Sequence, residues 1–264
     1  MKGLFDAVDN LIDVSGLEQV RLLVLGVGRV GFAFLSLAVH HGIKQIWVVD
    51  FDKVSARNFA SGFPESEVGA GKVEYVAAEL KYRRSDADVW YSKLKLRKDN
   101  VTALVDAIQW STHVCYFLDS FSVASELVKL SYSLRPNVYA ALLDRGQVGE
   151  TAWSIPGQTP CLNCTARLSE KRGARGGETL LVDVVSTANL AFRQFLGLCL
   201  VGRRGFERFQ RLVHPRYCLA YFINGPSVFL DMTEPDTPCG VRLVEVVNEQ
   251  GIGPSCSVCV GYRP

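Results

Sequence analysis

Three glycines and one acid near the start of this chain have the types and spacing to hold a nucleotide. Gly26-Val27-Gly28-Arg29-Val30-Gly31 matches G-x-G-x-x-G. Between a strand and a helix, such glycines permit a tight turn and let a phosphate approach backbone N–H groups at the helix N-terminus. Asp50, 24 positions after Gly26, falls where a carboxylate can hold ribose hydroxyls. Alone, these residues indicate a nucleotide, and a nicotinamide-dependent oxidoreductase is the default activity to weigh against any other.

A second constellation is built of sulfur. Four of the eight cysteines form two C-x-x-C pairs, Cys161/Cys164 and Cys256/Cys259. Each pair can turn two thiolates onto one ion, and two pairs complete a closed tetrahedral Zn²⁺ site, which has no open position for chemistry. With 92 positions from Cys164 to Cys256, such a metal clips the C-terminal side onto the body of the fold. Two unrelated thiol pairs, or a redox pair, are the alternatives. Cys115 and Cys199 sit in apolar runs and read as core fillers.

The elements that must position these groups can be read from periodicity. Residues 20–26, 45–50, 113–119 and 138–143 are short apolar runs that read as buried strands, and 86–97 reads as a strand with alternation around Val89-Trp90-Tyr91. Helices are expected over 29–41, 71–81, 99–109 and 123–134, with a long loop over 51–70. Strands alternating with helices imply a parallel sheet covered on both faces. After residue 146 the rhythm changes. Residues 147–155 extend the sheet in mixed sense, 165–178 form a basic, glycine-containing crossover, and 180–201 form a long apolar helix.

Composition bounds the remainder. The 264 residues suit one large domain or two small ones, at about 100–200 residues each. A formal net charge of +2 gives no electrostatic case for nucleic acid or an anionic membrane. No apolar run is long enough to span a bilayer, and the acids Asp6, Asp9 and Asp13 near the start do not suit a signal peptide, so a cytoplasmic protein is expected.

The residues after Asp50 separate the nucleotide readings. V-V-D-F-D-K-V-S-A-R-N-F leads to Gly69-Ala70-Gly71-Lys72, and a strand-like run ends at Asp119. With the glycines and the paired cysteines, this order of motifs resembles the ThiF/MoeB family, bacterial relatives of the ubiquitin-activating enzymes. The resemblance runs from residue 20 to residue 259. It implies a single Rossmann-like adenylation domain over 1–264, with a nucleotide half (1–145) and a mixed-sheet half carrying crossover and zinc (146–264). It also implies a homodimer, and ATP- and Mg²⁺-dependent conversion of a carboxylate to an acyl-adenylate. By position, Asp50 would bind ribose, Lys72 would neutralise phosphate, Asp119 would hold Mg²⁺, and Asp52 and Asn58 would complete the nucleotide site. The activated carboxylate would belong to a small carrier protein, a peptide or a small molecule.

The departures matter as much. Where the family reads N-L-x-R-Q, Asn58 is followed by Phe59-Ala60-Ser61-Gly62, without arginine or glutamine. No arginine precedes Arg21, so the family's early arginine segment has no counterpart, and Arg29 stands where a glycine is common. Arg57 and Arg29 are the nearby candidates for the lost cation. The 165–182 stretch has no cysteine to serve as a thioester nucleophile. A non-catalytic binding module or partner subunit therefore stays open beside the adenylyltransferase, with the oxidoreductase third.

Overall fold

The computed structural model describes residues 5–143, 148–165, 179–215, 218–223 and 240–244. Two single-turn helices, α1 (Asp6–Asp9) and α2 (Val14–Leu17), lead into β1 (Arg21–Leu25), α3 (Arg29–His40) and β2 (Gln45–Val49). Short 3₁₀ turns at Ala56–Ser61 and Glu65–Glu67 fill the loop before α4 (Lys72–Arg83) and β3 (Asp88–Ser92). A 3₁₀ turn at Val101–Leu104 then runs into α5 (Val105–Trp110), followed by β4 (His113–Tyr116), α6 (Phe121–Ser131) and β5 (Asn137–Leu143). Beyond lie β6 (Val148–Ser154), α7 (Leu162–Thr165), α8 (Leu181–Cys199), β7 (Leu219–Ile223) and β8 (Gly240–Val244).

These strands form one sheet in the order β3-β2-β1-β4-β5-β6-β7-β8. The first five pair in parallel; β6, β7 and β8 continue antiparallel. The expected α/β architecture with an antiparallel extension is what the chain adopts. The strand order reverses its direction of growth between β1 and β4, and a crevice opens at the carboxyl ends of strands at such a point.

Burial explains the order. β1 is buried from Leu22 to Leu25, as a strand covered on both faces requires. On one face α3 packs against α8, where Phe34 meets Phe192 and Phe195 edge-on at 5.5 and 5.4 Å. Gly149 of β6 has no Cβ because the side chain of Thr187 on α8 occupies that space. Arg84, buried beyond the end of α4, binds Glu18 and Asp86 at 2.7 and 2.8 Å and fixes α4 to the turn before β1.

Two expectations are corrected. The strand expected over 86–97 stops at Ser92, and the helix expected over 99–109 divides into a 3₁₀ turn and α5. In the first case the alternation continues through Lys93-Leu94-Lys95-Leu96, but the chain leaves the sheet and turns the leucines into the crevice. The crossover expected over 165–178 lies outside the described residues apart from Thr165. No helix among the described residues is long and apolar enough to cross a membrane.

Candidate active site

The glycine turn between β1 and α3 is shaped by close approach. Gly26 has φ +91°, and a Cβ there would run into the Phe117 carbonyl; a Cβ on Gly31 would run into the Gly26 carbonyl. These two glycines are explained by the protein's own packing. Gly28, the N-cap of α3, is not: a Cβ there meets nothing within 4 Å.

Asp50 holds this turn. Its Oδ2 accepts the Val27 N–H at 2.9 Å, and its Oδ1 accepts the Asp52 N–H at 2.9 Å. Lys72 is the first residue of α4, nearly buried, and its Nζ donates to Asp52 Oδ2 at 3.0 Å. The Lys72 N–H also donates to the Asp52 carbonyl at 2.9 Å, so backbone and side chain bind the same residue. Asp119 lies exposed beyond β4, just before Ser120, the N-cap of α6.

These groups converge on a cleft of about 180 Å³ at the switch point, lined by Gly26, Gly28, Asp50, Asp52, Lys72 and Asp119. Its apolar wall is supplied by Phe51, Leu94, Leu96, Phe117, Leu118 and Val123. Phe51 also carries Lys95, whose Nζ sits 4.9 Å from the ring centroid. Sequence reasoning misses this wall. The signal for it is the charged–apolar alternation past Tyr91, which reads equally well as a longer strand.

Four candidate residues are not among the cleft-lining ones. Asn58 caps its own turn, its Oδ1 accepting from Ser55 N–H at 2.8 Å and Ser55 Oγ at 3.0 Å. Arg57 is exposed on the same 3₁₀ turn. Arg29 turns towards α8, where its Nη1 donates to Thr179 Oγ1. Gly31, in the first turn of α3, packs against the Gly26 carbonyl.

Of the sulfur site, Cys161 and Cys164 are described. They follow β6, are buried, and place their sulfurs 3.8 Å apart. A tetrahedral Zn²⁺ with Zn–S bonds of about 2.3 Å holds its sulfurs roughly 3.8 Å apart, so the pair fits that ion. Cys256 and Cys259 lie outside the described residues. Among the described residues no group of three or more metal-binding side chains is assembled. Cys115 is fully buried and Cys199 partly so, and loss of hydration pushes both thiols well up, as core residues rather than nucleophiles.

Comparison with known proteins bears on the whole arrangement. The sequence signature of the ThiF family matches residues 8–262. The molybdopterin-synthase adenylyltransferase of Salmonella typhimurium is 27% identical over 156 residues, covering 58% of this chain and 61% of that protein. The sulfur carrier protein ThiS adenylyltransferase of Bacillus subtilis is 28% identical over 153 residues, covering 56% of this chain and 44% of that one. The chain thus matches about half the length of these curated relatives. Among solved structures, E. coli MccB with AMPCPP and MccA superposes with a TM-score of 0.71 at 17% identity, over 93% of this chain and 68% of that one. That likeness is one of fold.

Proposed function

The chain belongs to the ThiF family, and from that premise we propose that it is an ATP-dependent adenylyltransferase acting on a carboxylate in the cytoplasm. In this reaction a carboxylate oxygen attacks the α-phosphorus of ATP, the bond from that phosphorus to the bridging oxygen breaks, and pyrophosphate leaves with that electron pair. The product is a mixed anhydride, the acyl-adenylate.

One observation carries the reading. Gly28 leaves its Cβ space open in the same cleft that collects Asp50, Lys72 and Asp119. Phosphate against the backbone at the N-terminus of α3 accounts for that opening. Asp50 then has two tasks, shaping the turn and meeting the ribose. Lys72, held beside the loop by Asp52, supplies positive charge to the phosphates. The apolar wall with Phe51, Leu94 and Leu96 suits the flat face of a base.

Charge makes a cation necessary. The cleft is lined by three carboxylates and one ammonium group, which itself is paired. A triphosphate entering such a site is repelled unless a divalent ion comes with it. Asp119 and its neighbours are hard oxygen donors that fit Mg²⁺, and when bound that ion neutralises charge on the phosphates. Arg57 and Asn58, on the 3₁₀ turn that follows cleft-lining Asp52 in the chain, belong to this proposal as groups that reach the triphosphate once nucleotide is present. The paired cysteines are proposed to hold structural Zn²⁺, and the protein to work as a homodimer. The acceptor classes named by relatives, a sulfur carrier protein such as ThiS or a peptide such as MccA, are the first to try.

Calorimetric titration tests the reading: MgATP is expected to bind, ATP without divalent ion to bind at least about tenfold more weakly, and NAD not to bind. Preference for NAD overturns it. The location of Arg29 and Arg57 outside the cleft lining favours a second reading, a partner subunit that binds nucleotide without turnover; MgATP binding without pyrophosphate release from any carrier or peptide acceptor selects it. Zinc content of about one ion per chain, lost in Cys161→Ser, checks the metal site.

A further inference from the structure

The sheet ends at β3, and this edge has a free side. β3 is the outermost strand of the parallel half and pairs with β2. The Asp88 N–H donates to the Lys44 carbonyl at 2.7 Å, and the Ser92 carbonyl accepts the Asp50 N–H at 3.2 Å. Successive residues of a strand turn their backbone groups to opposite sides. Asp88, Trp90 and Ser92 therefore bond to β2, while the N–H and C=O of Val89 and Tyr91 point outwards, with no strand beside them among the described residues. Such a row of free groups is a template for another strand, and folded proteins commonly guard it with charge or proline. Here the charges stand at the two ends and the centre is aromatic: Trp90 and Tyr91 are 44% and 48% exposed.

Behind Trp90 the rings continue inwards. Trp110 on α5 lies edge-on to Trp90 at 5.3 Å and to Trp47 on β2 at 5.8 Å. Trp47 Nε1 donates to Ser92 Oγ at 3.0 Å. Three of the four tryptophans of the chain thus form one row that ends in an exposed ring on an open edge. A ring of this size has much apolar area left to bury.

The charge pattern selects the occupant. Asp86 and Asp88 stand at the start of β3, and Lys93 and Lys95 follow its end. A second copy of the strand in antiparallel sense brings each acidic start to the other's basic exit, about a two-fold axis. A parallel copy sets like charge against like. The backbone then fixes the register. Outward-facing Val89 and Tyr91 exchange hydrogen bonds with Tyr91 and Val89 of the second copy, so the axis passes through Trp90. The two copies of Trp90 face each other as a non-hydrogen-bonded pair, with Cα atoms about 4.5 Å apart and side chains in closest contact. Either neighbouring register sets Trp90 opposite Asp88 or Ser92 and forgoes the ring contact.

We propose that β3 is a self-association edge: two copies of the chain join antiparallel along it, with Trp90 on the two-fold axis, into one continuous sheet. The chain leaving β3 carries Leu94 and Leu96 to the cleft wall, so each cleft begins a few residues from the seam. The proposal stands apart from the adenylyltransferase reading.

Sedimentation of the full chain from about 1 to 200 μM tests it, and at the upper end the natural chain is expected to have twice the mass of two edge variants. Tyr91→Pro removes an outward N–H that β2 does not use, so it should keep the urea midpoint and weaken association at least about tenfold. Trp90→Lys sets two ammonium groups face to face and should do the same. Trp90→Tyr should keep most of the association. Circular dichroism from coupled tryptophans should grow with concentration in the natural chain and not in Trp90→Tyr. If another surface also joins copies, the natural chain passes from dimer to tetramer and the variants stop at dimer, which supports the proposal equally. Should Tyr91→Pro lower the urea midpoint, Trp90→Lys decides alone. A mass equal in the natural chain and the deciding variants overturns the proposal and leaves the edge to a foreign strand or to solvent. Association without growth of the tryptophan signal overturns it too, because the axis then lies elsewhere.

Discussion

The cleft end of the parallel half and the interior of the antiparallel half treat polar groups in opposite ways. Around the cleft at the ends of β1, β2 and β4, polar side chains are exposed or tied to nearby groups: Asp50 to two backbone N–H groups, Lys72 to Asp52. In β6 and α8, polar side chains are sealed inside, and Trp153 Nε1, Ser154 Oγ, Thr187 Oγ1 and both amide atoms of Gln194 have no hydrogen-bond partner among the described residues. An orphaned buried group costs about 1–3 kcal/mol. The parallel half thus keeps the polar groups of its cleft available at a solvent boundary, while the antiparallel half depends on fit. Substitutions in the first should damage activity and spare stability, and those in the second should do the reverse.

The largest effects are expected in the cleft. Lys72→Ala should weaken MgATP by about 10- to 100-fold, the loss of a charge-assisted bond of roughly 1.5–3 kcal/mol. Asp119→Ala should erase most of the gain in ATP affinity that Mg²⁺ brings. Because Asp119 is exposed, its removal should move the unfolding free energy by less than about 0.5 kcal/mol. Calorimetry with urea denaturation on the same samples reads both. Full MgATP affinity in both variants would remove the cleft from the proposed reaction.

His113 belongs to the parallel half but packs against α8, and it offers the next largest effect. It lies on β4, edge-on to Phe195, with Nε2 3.7 Å from Cys199 Sγ on α8. Burial, and secondarily the charge of Arg135, hold its imidazole down to about 4. In the unfolded chain the same group takes up a proton near pH 6.5. The unfolded state therefore binds more protons between these values, and stability present above about pH 6.5 is lost as the pH falls towards 4. The loss should reach up to about 3 kcal/mol. Urea denaturation across that range should show the loss in the natural chain and a smaller one in His113→Phe. Equal slopes would place the imidazole in contact with water and weaken the reading of the β4–α8 contact as a sealed one.

The sequence is most legible where one residue type answers one physical demand. Runs such as Leu22–Leu25 must be buried strands, and Gly26 needs a positive φ, so the parallel half, the glycine turn and Asp50 can be read directly. Lys72 and Asp119 require the resemblance, since a lysine and an acid near helix starts have ordinary uses. Leu94 and Leu96 mislead because alternation looks alike in a strand and in a loop that lines a crevice. The direction of Arg29 is invisible: a sequence cannot say that its partner lies 150 positions away at Thr179. Nor can it reveal Gly149 as a packing glycine, because the demand comes from a helix distant in sequence.

Gly149 tests the antiparallel half through steric fit. An added methyl would overlap the Thr187 side chain, and overpacking of a core costs about 1–3 kcal/mol. Gly149→Ala should lower the unfolding free energy by about 2 kcal/mol within that range. Combining it with Thr187→Ala removes two of the three atoms in the way and should restore part of the loss. MgATP affinity should hold, since neither residue lines the cleft. An equal loss of affinity in Gly149→Ala would mean that the halves respond as one unit.

Gln194 gives the smallest effect and the one whose sign is most informative. Its side chain is fully buried on α8, and its amide oxygen and nitrogen both lack partners among the described residues. Leucine has similar bulk, higher helix propensity than most polar residues, and no polar atoms to leave unsatisfied. Gln194→Leu should therefore stabilise the chain by about 1 kcal/mol, seen as a higher urea midpoint with an unchanged slope. A lower midpoint would show that the amide is served by an internal water, because removing one end of a satisfied buried network leaves the other end exposed to the full penalty. The antiparallel half would then be as well bonded as the cleft, through solvent rather than through the chain, and the contrast between the halves would lie in where the water sits.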